Sequence, residues 1–114
     1  MSLAPSKLQR AAVDGRVTVS VADVAVTNRP DVQIVTHALG SCIGVTVYDP
    51  DARVGGMLHF MLPTSATNKE KARDKPAMFG DTGIPLLFNA CYDLGAKKSR
   101  VVVCAAGGAE VLAD

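Results

Sequence analysis

The chain has 114 residues, of which 48% are hydrophobic and 20% are charged, a composition typical of one globular domain. Its 12 basic and 11 acidic residues give a formal net charge of +1, which provides no argument for a nucleic-acid-binding surface. No apolar run approaches the ~20 residues needed to cross a bilayer. No basic segment followed by an apolar stretch marks an export signal. We therefore expect a cytoplasmic protein that neither binds nucleic acid nor inserts into a membrane.

Three cysteines, Cys42, Cys91 and Cys104, are present. An odd number without an export signal predicts reduced thiols. No Cys-x-x-Cys or His-x-x-x-His pair occurs, so the spacing does not favour a zinc site. Cys91 falls on the apolar face of a predicted helix and Cys104 within a valine run, and both are interpreted as structural.

In chain order, residues 1–15 lack a clear period and are predicted to be a flexible N-terminal arm. Residues 16–114 are predicted to form a single domain. Residues 16–27 alternate apolar and polar side chains, which predicts one strand. A turn at 28–31 leads into a second short strand over residues 32–36.

The next two predicted strands, residues 41–49 and 54–62, flank a turn at residues 50–53. Successive side chains of a strand point to opposite faces. Ile43, Val45 and Val47 therefore share one face, and Cys42, Gly44, Thr46 and Tyr48 share the other.

The remaining elements are a loop, a helix and a strand. Residues 69–75 carry charges of both signs and are interpreted as a solvated loop. Leu86, Leu87, Cys91 and Leu94 recur with a helical period, with Asp81 or Thr82 as the N-cap and Gly95 as the stop signal. Residues 100–105 are predicted to be a strand.

Pairing of the two central strands as a hairpin would bring two reactive side chains together. If Asp49 lies opposite Val54, then His59 lies opposite Gly44, and opposed residues share a face. Cys42 and His59 would then be diagonal neighbours with backbones ~7–8 Å apart. This register is a hypothesis, because it rests on the length of the turn.

A cysteine and a histidine in this arrangement suit nucleophilic catalysis. An ordinary thiol, with a pKa near ~8.5, is mostly protonated at neutral pH, so it needs a base to become a thiolate. The base is usually oriented by an oxygen on its other ring nitrogen, and Thr36 is a candidate for that role. His37 is a rival base. The plainer interpretation is that Cys42 and His59 are ordinary core residues.

Small residues surround the candidate nucleophile. Gly40 allows a tight turn before Cys42, and Gly44 leaves space beside it. Backbone N–H groups at the Gly40–Ser41 bend are candidates for stabilising the oxyanion of a tetrahedral intermediate.

These residues resemble the chemoreceptor glutamine deamidase (CheD) family. Residues 36–42, Thr-His-Ala-Leu-Gly-Ser-Cys, are similar to its Cys segment, and residues 55–63, Gly-Gly-Met-Leu-His-Phe-Met-Leu-Pro, to its His segment. Residues 79–87, 94–96 and 107–109 are also similar, so the resemblance covers about residues 17–109. Positions 37 and 38 depart from the family pattern, because they are His and Ala instead of Leu and Gly.

The resemblance implies a layered α/β (α+β) sandwich of mixed β-sheets with flanking helices. It implies a Cys–His–Thr triad, which falls on Cys42, His59 and Thr36, and hydrolysis of glutamine side-chain amides to glutamate through a thioester. No metal or organic cofactor is implied. The expected partners are the helical cytoplasmic region of methyl-accepting chemoreceptors and, in some members, a CheC-type phosphatase.

The family pattern continues for several dozen residues beyond the position where this chain stops. The expectation is a C-terminally short domain with exposed sheet edges and apolar surface, and a homodimer that covers them is a hypothesis. Two other functions stay open: a non-catalytic module that binds a receptor or phosphatase, and a different cysteine hydrolase such as an amidase or methylesterase.

Overall fold

The computed structural model of the protein describes residues 8–110. In chain order, its strands and helices are β1 (Arg16–Thr18), β2 (Asp23–Thr27), β3 (Gln33–Val35), β4 (Ile43–Asp49), β5 (Val54–Phe60), α1 (Lys69–Asp74), a 3₁₀ turn (Pro76–Met78), α2 (Gly80–Asp93) and β6 (Val102–Gly107). Within this described part, no helix is long and apolar enough to span a bilayer.

The strands form two sheets. The larger has the order β2-β5-β4-β6 with every neighbouring pair antiparallel, and the smaller is a parallel pair of β1 and β3. Helix α2 packs on one face of the larger sheet, and hydrophobic residues of the smaller sheet pack on the other. The predicted layered α+β class is confirmed.

The hairpin of β4 and β5 has the predicted register. Asp49 pairs with Val54, and Gly44 pairs with His59. The ladder ends at the Ile43–Phe60 pair, so Cys42 lies one position outside it. The four-residue turn preserves the face alternation that the sequence predicts.

The helix-facing side of the sheet holds the larger core. Leu58 and Val47 contribute from β5 and β4, and Leu87 and Cys91 from α2, all at most 1% exposed. Gly56 lies directly beneath the helix, where a Cβ atom would stand 2.7 Å from Leu87 Cδ1 and 2.9 Å from Cys91 Sγ. The close packing of α2 on β5 therefore depends on this glycine.

The opposite face holds a smaller core. Val17, Val19 and Ala25 are buried there, and Ile34 and Met57 pack against them. Because these residues come from both sheets, they hold β1 and β3 against the face of the larger sheet that carries Gly44 and His59. This layer determines where the residues that follow β1 and β3 lie.

One strand prediction for the first half of the chain needs correction. The single strand predicted over residues 16–27 is wrong, because a turn separates β1 from β2. Ala22 adopts a left-handed φ of 58°, and Asp23 accepts a hydrogen bond from the Ser20 N–H. Alternation of side chains continues through this turn, which hides it in the sequence.

The prediction of a solvated loop over residues 69–75 is also wrong, because most of this charged segment is helical. It forms α1, with the Asn68 side chain accepting the Lys71 N–H at 3.1 Å as an N-cap. The predicted N-caps of the next helix, Asp81 and Thr82, are wrong, since α2 begins at Gly80. The predicted stop at Gly95 is confirmed, because this glycine follows the C-cap Leu94 with a left-handed φ of 111°. Asp81 instead accepts hydrogen bonds from the Ser65 N–H and hydroxyl, and Thr82 donates to the Pro76 carbonyl.

The described part of the segment predicted to be an arm contacts the body. Leu8 is 4% exposed, Gln9 donates to Asn28, and Arg10 pairs with Asp23 at 3.0 Å. Residues 1–7 of that segment lie outside the described residues. The division into an arm and one domain stays a prediction.

Strand β6 forms one edge of the larger sheet and is exposed at all six positions. Val102 and Val103 are about half exposed, which agrees with the expectation of exposed apolar sheet surface. Cys104, expected to be structural, is exposed on this strand.

A buried ion pair ties the end of β4 to the segment that precedes β6. The Asp49 side chain is 0% exposed and accepts hydrogen bonds from Arg100 Nη2 at 2.8 Å and from the Lys97 N–H at 2.9 Å. The backbone N–H groups of Asp51 and Ala52 also donate to it. The Arg100 guanidinium is the main reason why the pKa of the Asp49 carboxyl lies well below its usual range.

The Gly56 contact predicts unequal effects of two neighbouring substitutions. Gly56→Ala should lower the free energy of unfolding by about 1–3 kcal/mol, because it overfills the helix–sheet interface. Gly55→Ala is the matched control, since its Cβ atom would meet only Tyr48 Cδ1 at 3.5 Å and the Val47 carbonyl oxygen at 3.9 Å. Urea unfolding of both variants measures this, and equal stabilities would contradict the packing described.

The Asp49 ion pair predicts a pH-dependent stability. The pKa of Asp49 is lower in the folded chain than the ~3.9 of an unfolded Asp. The contribution of Asp49 to the free energy of unfolding is therefore present above about pH 4 and is lost as the pH falls below it. Asp49→Asn should lower the urea midpoint at pH 6 and flatten its fall towards pH 3. Asp31→Asn, at an exposed ion pair, is the control and should leave the wild-type pH dependence intact. An unchanged pH dependence in Asp49→Asn would contradict this account.

Candidate active site

His59 lies near the end of the central strand β5, between Asp23 of β2 and Gly44 of β4. Its side chain is fully buried, at 0% exposure, and its backbone carbonyl accepts the Ala22 N–H at 2.9 Å. Backbone pairing on both sides therefore fixes the Cα atom of this residue. The orientation of its ring depends on the neighbouring layer.

Thr36 provides that orientation from the position directly after β3. Its hydroxyl donates to the Val19 carbonyl oxygen at 2.6 Å, and the same oxygen lies 2.8 Å from His59 Nδ1. A carbonyl cannot donate, and a hydroxyl has only one hydrogen, so Nδ1 must be the donor to Thr36. The contact therefore selects the imidazole tautomer with its proton on Nδ1.

The other ring nitrogen, Nε2, is left as an acceptor. Within the described part of the chain, it is the one buried side-chain nitrogen or oxygen atom without a hydrogen-bond partner. Native structures contain few such atoms, and each calls for a reason. A base that must receive a proton from a reacting group is such a reason.

Cys42 lies just before β4, on the loop formed by residues 36–42, which we call the nucleophile loop after its candidate nucleophile. It is half-buried, and the alternation of β4, continued by one residue beyond its start at Ile43, would place it on the sheet face of Gly44 and His59. Its sulfur makes no hydrogen bond to His59 Nε2 within the described residues. Catalytic hydrogen bonds are often long in unliganded enzymes and shorten when substrate binds.

Gly44 has a more specific role than the predicted open space. A Cβ atom there would meet Leu39 Cδ2 at 3.2 Å and Thr36 Cγ2 at 3.8 Å. The side chains of Leu39 and Thr36 thus occupy the space over Gly44. Leu39 helps to cover the sheet beside the imidazole.

The nucleophile loop also determines which N–H groups are free. The Cys42 N–H donates to the Leu39 carbonyl at 2.7 Å. The N–H groups of Gly40 and Ser41, both exposed residues, have no acceptor among the described residues. Gly40 has a left-handed φ of 51°, which suits the bend that presents them.

The other reactive side chains lie elsewhere. Cys91 is 0% exposed, and burial raises the pKa of its thiol to about 12. Cys104 is exposed on β6, and His37 is exposed on the nucleophile loop. Of the two cysteines predicted to be structural, only Cys91 is buried.

A cleft of about 530 Å³ lies on the same sheet face as His59. It starts at the Thr46–Met57 pair, the next pair on that face after Gly44–His59. Its lining includes Ile34, Thr46, Tyr48, Met57, Arg29 and Arg53. The sequence pattern put Thr46 and Tyr48 on this face but gave no sign of a cleft, which depends on how β3 packs over the sheet.

A half-buried cysteine that directly precedes β4, beside a histidine with a fixed tautomer on β5, is compatible with a cysteine hydrolase. Comparison with known proteins shows which family the chain resembles. Residues 61–114 match the family model described as CheD chemotactic sensory transduction. The resemblance to the CheD family that the motifs indicate is confirmed.

The most similar relatives include two proteins named probable chemoreceptor glutamine deamidases. The one from Syntrophus aciditrophicus is 55% identical over 100 residues, covering 88% of this chain and 62% of the relative. The one from Anaeromyxobacter dehalogenans is 58% identical over 92 residues, covering 81% of this chain and 58% of the relative. The chain thus spans about six-tenths of the length of these curated relatives.

The three cysteines should differ in their reaction with iodoacetamide. At neutral pH, Cys42 should react fastest, Cys104 more slowly, and Cys91 only after unfolding. His59→Gln should slow the alkylation of Cys42 by at least about tenfold, because the candidate base for the thiol is removed. Cys104 in the same chain is the control. If Cys42 reacts no faster than Cys104, the sulfur is not activated and the site would suit a binding module.

Proposed function

We propose that this chain carries the catalytic residues of a chemoreceptor glutamine deamidase, which hydrolyses glutamine side-chain amides on methyl-accepting receptors to glutamate and ammonia. The observation that carries the proposal is the His59 imidazole, held by Thr36 with a buried, unpartnered Nε2. The substrate class comes from the two similar relatives, which are named probable chemoreceptor glutamine deamidases.

In the first half of the reaction, His59 Nε2 accepts the proton of the Cys42 thiol. The thiolate attacks the amide carbonyl carbon of the substrate glutamine and forms a tetrahedral intermediate. The intermediate collapses as the imidazolium gives its proton to the leaving nitrogen. Ammonia departs, and a thioester joins Cys42 to the receptor side chain.

In the second half, His59 Nε2 removes a proton from water, which attacks the thioester carbonyl. The carbon–sulfur bond breaks, the thiol regains its proton from His59, and a glutamate side chain is released. Thr36 keeps Nδ1 protonated throughout, so that the ring presents the same nitrogen in both halves.

Negative charge on the substrate oxygen needs hydrogen-bond donors. The N–H groups of Gly40 and Ser41 are the candidates, because they lie beside Cys42 and have no acceptor among the described residues. The Cys42 N–H is already bonded to Leu39 and is therefore a poorer candidate. Donors fixed before the reaction stabilise the oxyanion without reorganisation.

The cleft beside the Gly44–His59 pair is where we place the receptor segment that flanks the target glutamine. It is apolar along Ile34 and Met57 and carries Arg29 and Arg53. The proposed partners also include a CheC-type phosphatase, and the proposed location is the cytoplasm. A homodimer stays a hypothesis, for which exposed β6 offers the edge.

Mass spectrometry of a receptor cytoplasmic fragment incubated with this 114-residue chain tests the proposal. We expect a gain of about one mass unit at individual glutamines, the consequence of replacing an amide nitrogen with oxygen. The gain should disappear with Cys42→Ala. No gain from a folded chain with a fast-labelling Cys42 would contradict the proposal, and loss of receptor methyl groups instead would identify a methylesterase.

Thr36 variants separate orientation of the base from folding. Thr36→Val should lower kcat by roughly tenfold to a hundredfold with little change in KM, because the ring loses the acceptor for Nδ1–H. Thr36→Ser retains the hydroxyl and is the matched control, with kcat close to that of the wild type. Equal kcat values in both variants would show that Thr36 does not orient His59.

A further inference from the structure

The end of β6 lies against the nucleophile loop. The Gly108 N–H donates to the Cys42 carbonyl oxygen at 2.8 Å, and the Ala109 N–H donates to the Gly40 carbonyl oxygen at 2.9 Å. The two acceptors are on either side of Ser41. Residues 107–109 therefore hold the backbone of the nucleophile and of the bend before it.

Gly107 allows this contact to form. Its φ is +100°, and a Cβ atom would stand 2.3 Å from the Cys42 carbonyl oxygen and 3.2 Å from Leu39 Cβ. Backbone cannot yield at such a separation without moving either Cys42 or the end of β6. Glycine is needed here for close approach as well as for its dihedral angle.

The rest of the nucleophile loop has few other fixed points. Among the described residues, the Cys42 N–H bond to Leu39 is internal to the loop, and residues 37–41 make one backbone hydrogen bond to another part of the chain, the one from Ala109. The strand that supplies these donors is itself aligned by β4, with Gly107 opposite Ile43. Strand β6 therefore fixes the position of the loop relative to the sheet that carries His59.

We propose that residues 107–109 are a positioning segment for the nucleophile. The segment fixes the Cys42 backbone so that the sulfur stays on the sheet face that carries the His59 imidazole. The proposal rests on the proposed function for its chemical purpose. It makes none of the three residues catalytic, because the role proposed for them acts through their contacts with the loop. It gives a role to the Gly-Gly-Ala motif, which the triad leaves unexplained.

The consequence for catalysis is geometric. Strand β6 is exposed at every position, so its ladder with β4 holds it more than burial does. A displacement of its end would move the Cys42 carbonyl and with it the sulfur. Misplacement of a reacting group by about 1 Å can cost roughly a hundredfold in rate.

Gly107→Ala tests the proposal, with Gly15→Ala as the matched control. Gly15 also has a left-handed φ, +75°, but its Cβ atom would meet only the Asp31 carbonyl oxygen at 3.6 Å. Gly107→Ala should slow Cys42 alkylation by about tenfold or more and bring its pH profile towards that of Cys104. Gly15→Ala should leave both within about twofold of the wild type. A folded Gly107→Ala chain with the wild-type rate and pH profile would overturn the proposal.

Amide hydrogen exchange in the unmodified chain gives a second test that needs no variant. The Gly108 and Ala109 amides should exchange more slowly than those of Gly40 and Ser41, which lack protein acceptors. Exchange as fast as that of Ser41 would overturn the proposal even if Gly107→Ala fails to fold. Neither test uses a receptor. Slow exchange and altered alkylation without any deamidation would therefore reject the proposed function and retain the positioning segment.

Discussion

The site depends on one short chain of hydrogen bonds, from His59 Nδ1–H to the Thr36 hydroxyl and from that hydroxyl to the Val19 carbonyl. The final acceptor is a backbone oxygen, which has no hydrogen to give, so the direction of both bonds is fixed. The orientation of the imidazole and the identity of its basic nitrogen follow from this direction. The rest of the fold serves to keep the three groups in line.

Two sheets are needed because the three groups come from different layers. Thr36 follows β3 and Val19 follows β1, while His59 belongs to β5 of the larger sheet. The Val19 N–H donates to the Val35 carbonyl at 2.8 Å, which extends the parallel pair up to the site. A buried polar atom without a partner costs about 1–3 kcal/mol. This cost falls on His59 Nε2, which is the ring nitrogen left free to accept a proton.

Local pattern was enough to predict the part of the site that the β4–β5 hairpin carries. Alternation and turn length gave the Gly44–His59 pair, and residue types together with the family resemblance gave Thr36. The Val19 carbonyl was not predictable, because its position depends on parallel pairing of two separate strands. Alternation also continued through the turn at Ala22, and mixed charges hid the helical propensity of residues 69–74. The contact of Gly107 with Cys42 is likewise long-range, so the sequence showed only a glycine pair.

The tautomer of His59 tests the central claim most directly. Nitrogen-15 NMR of the neutral imidazole distinguishes a protonated ring nitrogen from an unprotonated one. The account predicts a proton on Nδ1 and none on Nε2 in the wild type and in Thr36→Ser, and loss of this preference in Thr36→Val. A wild-type ring protonated on Nε2, or one that exchanges freely between both tautomers, would contradict it.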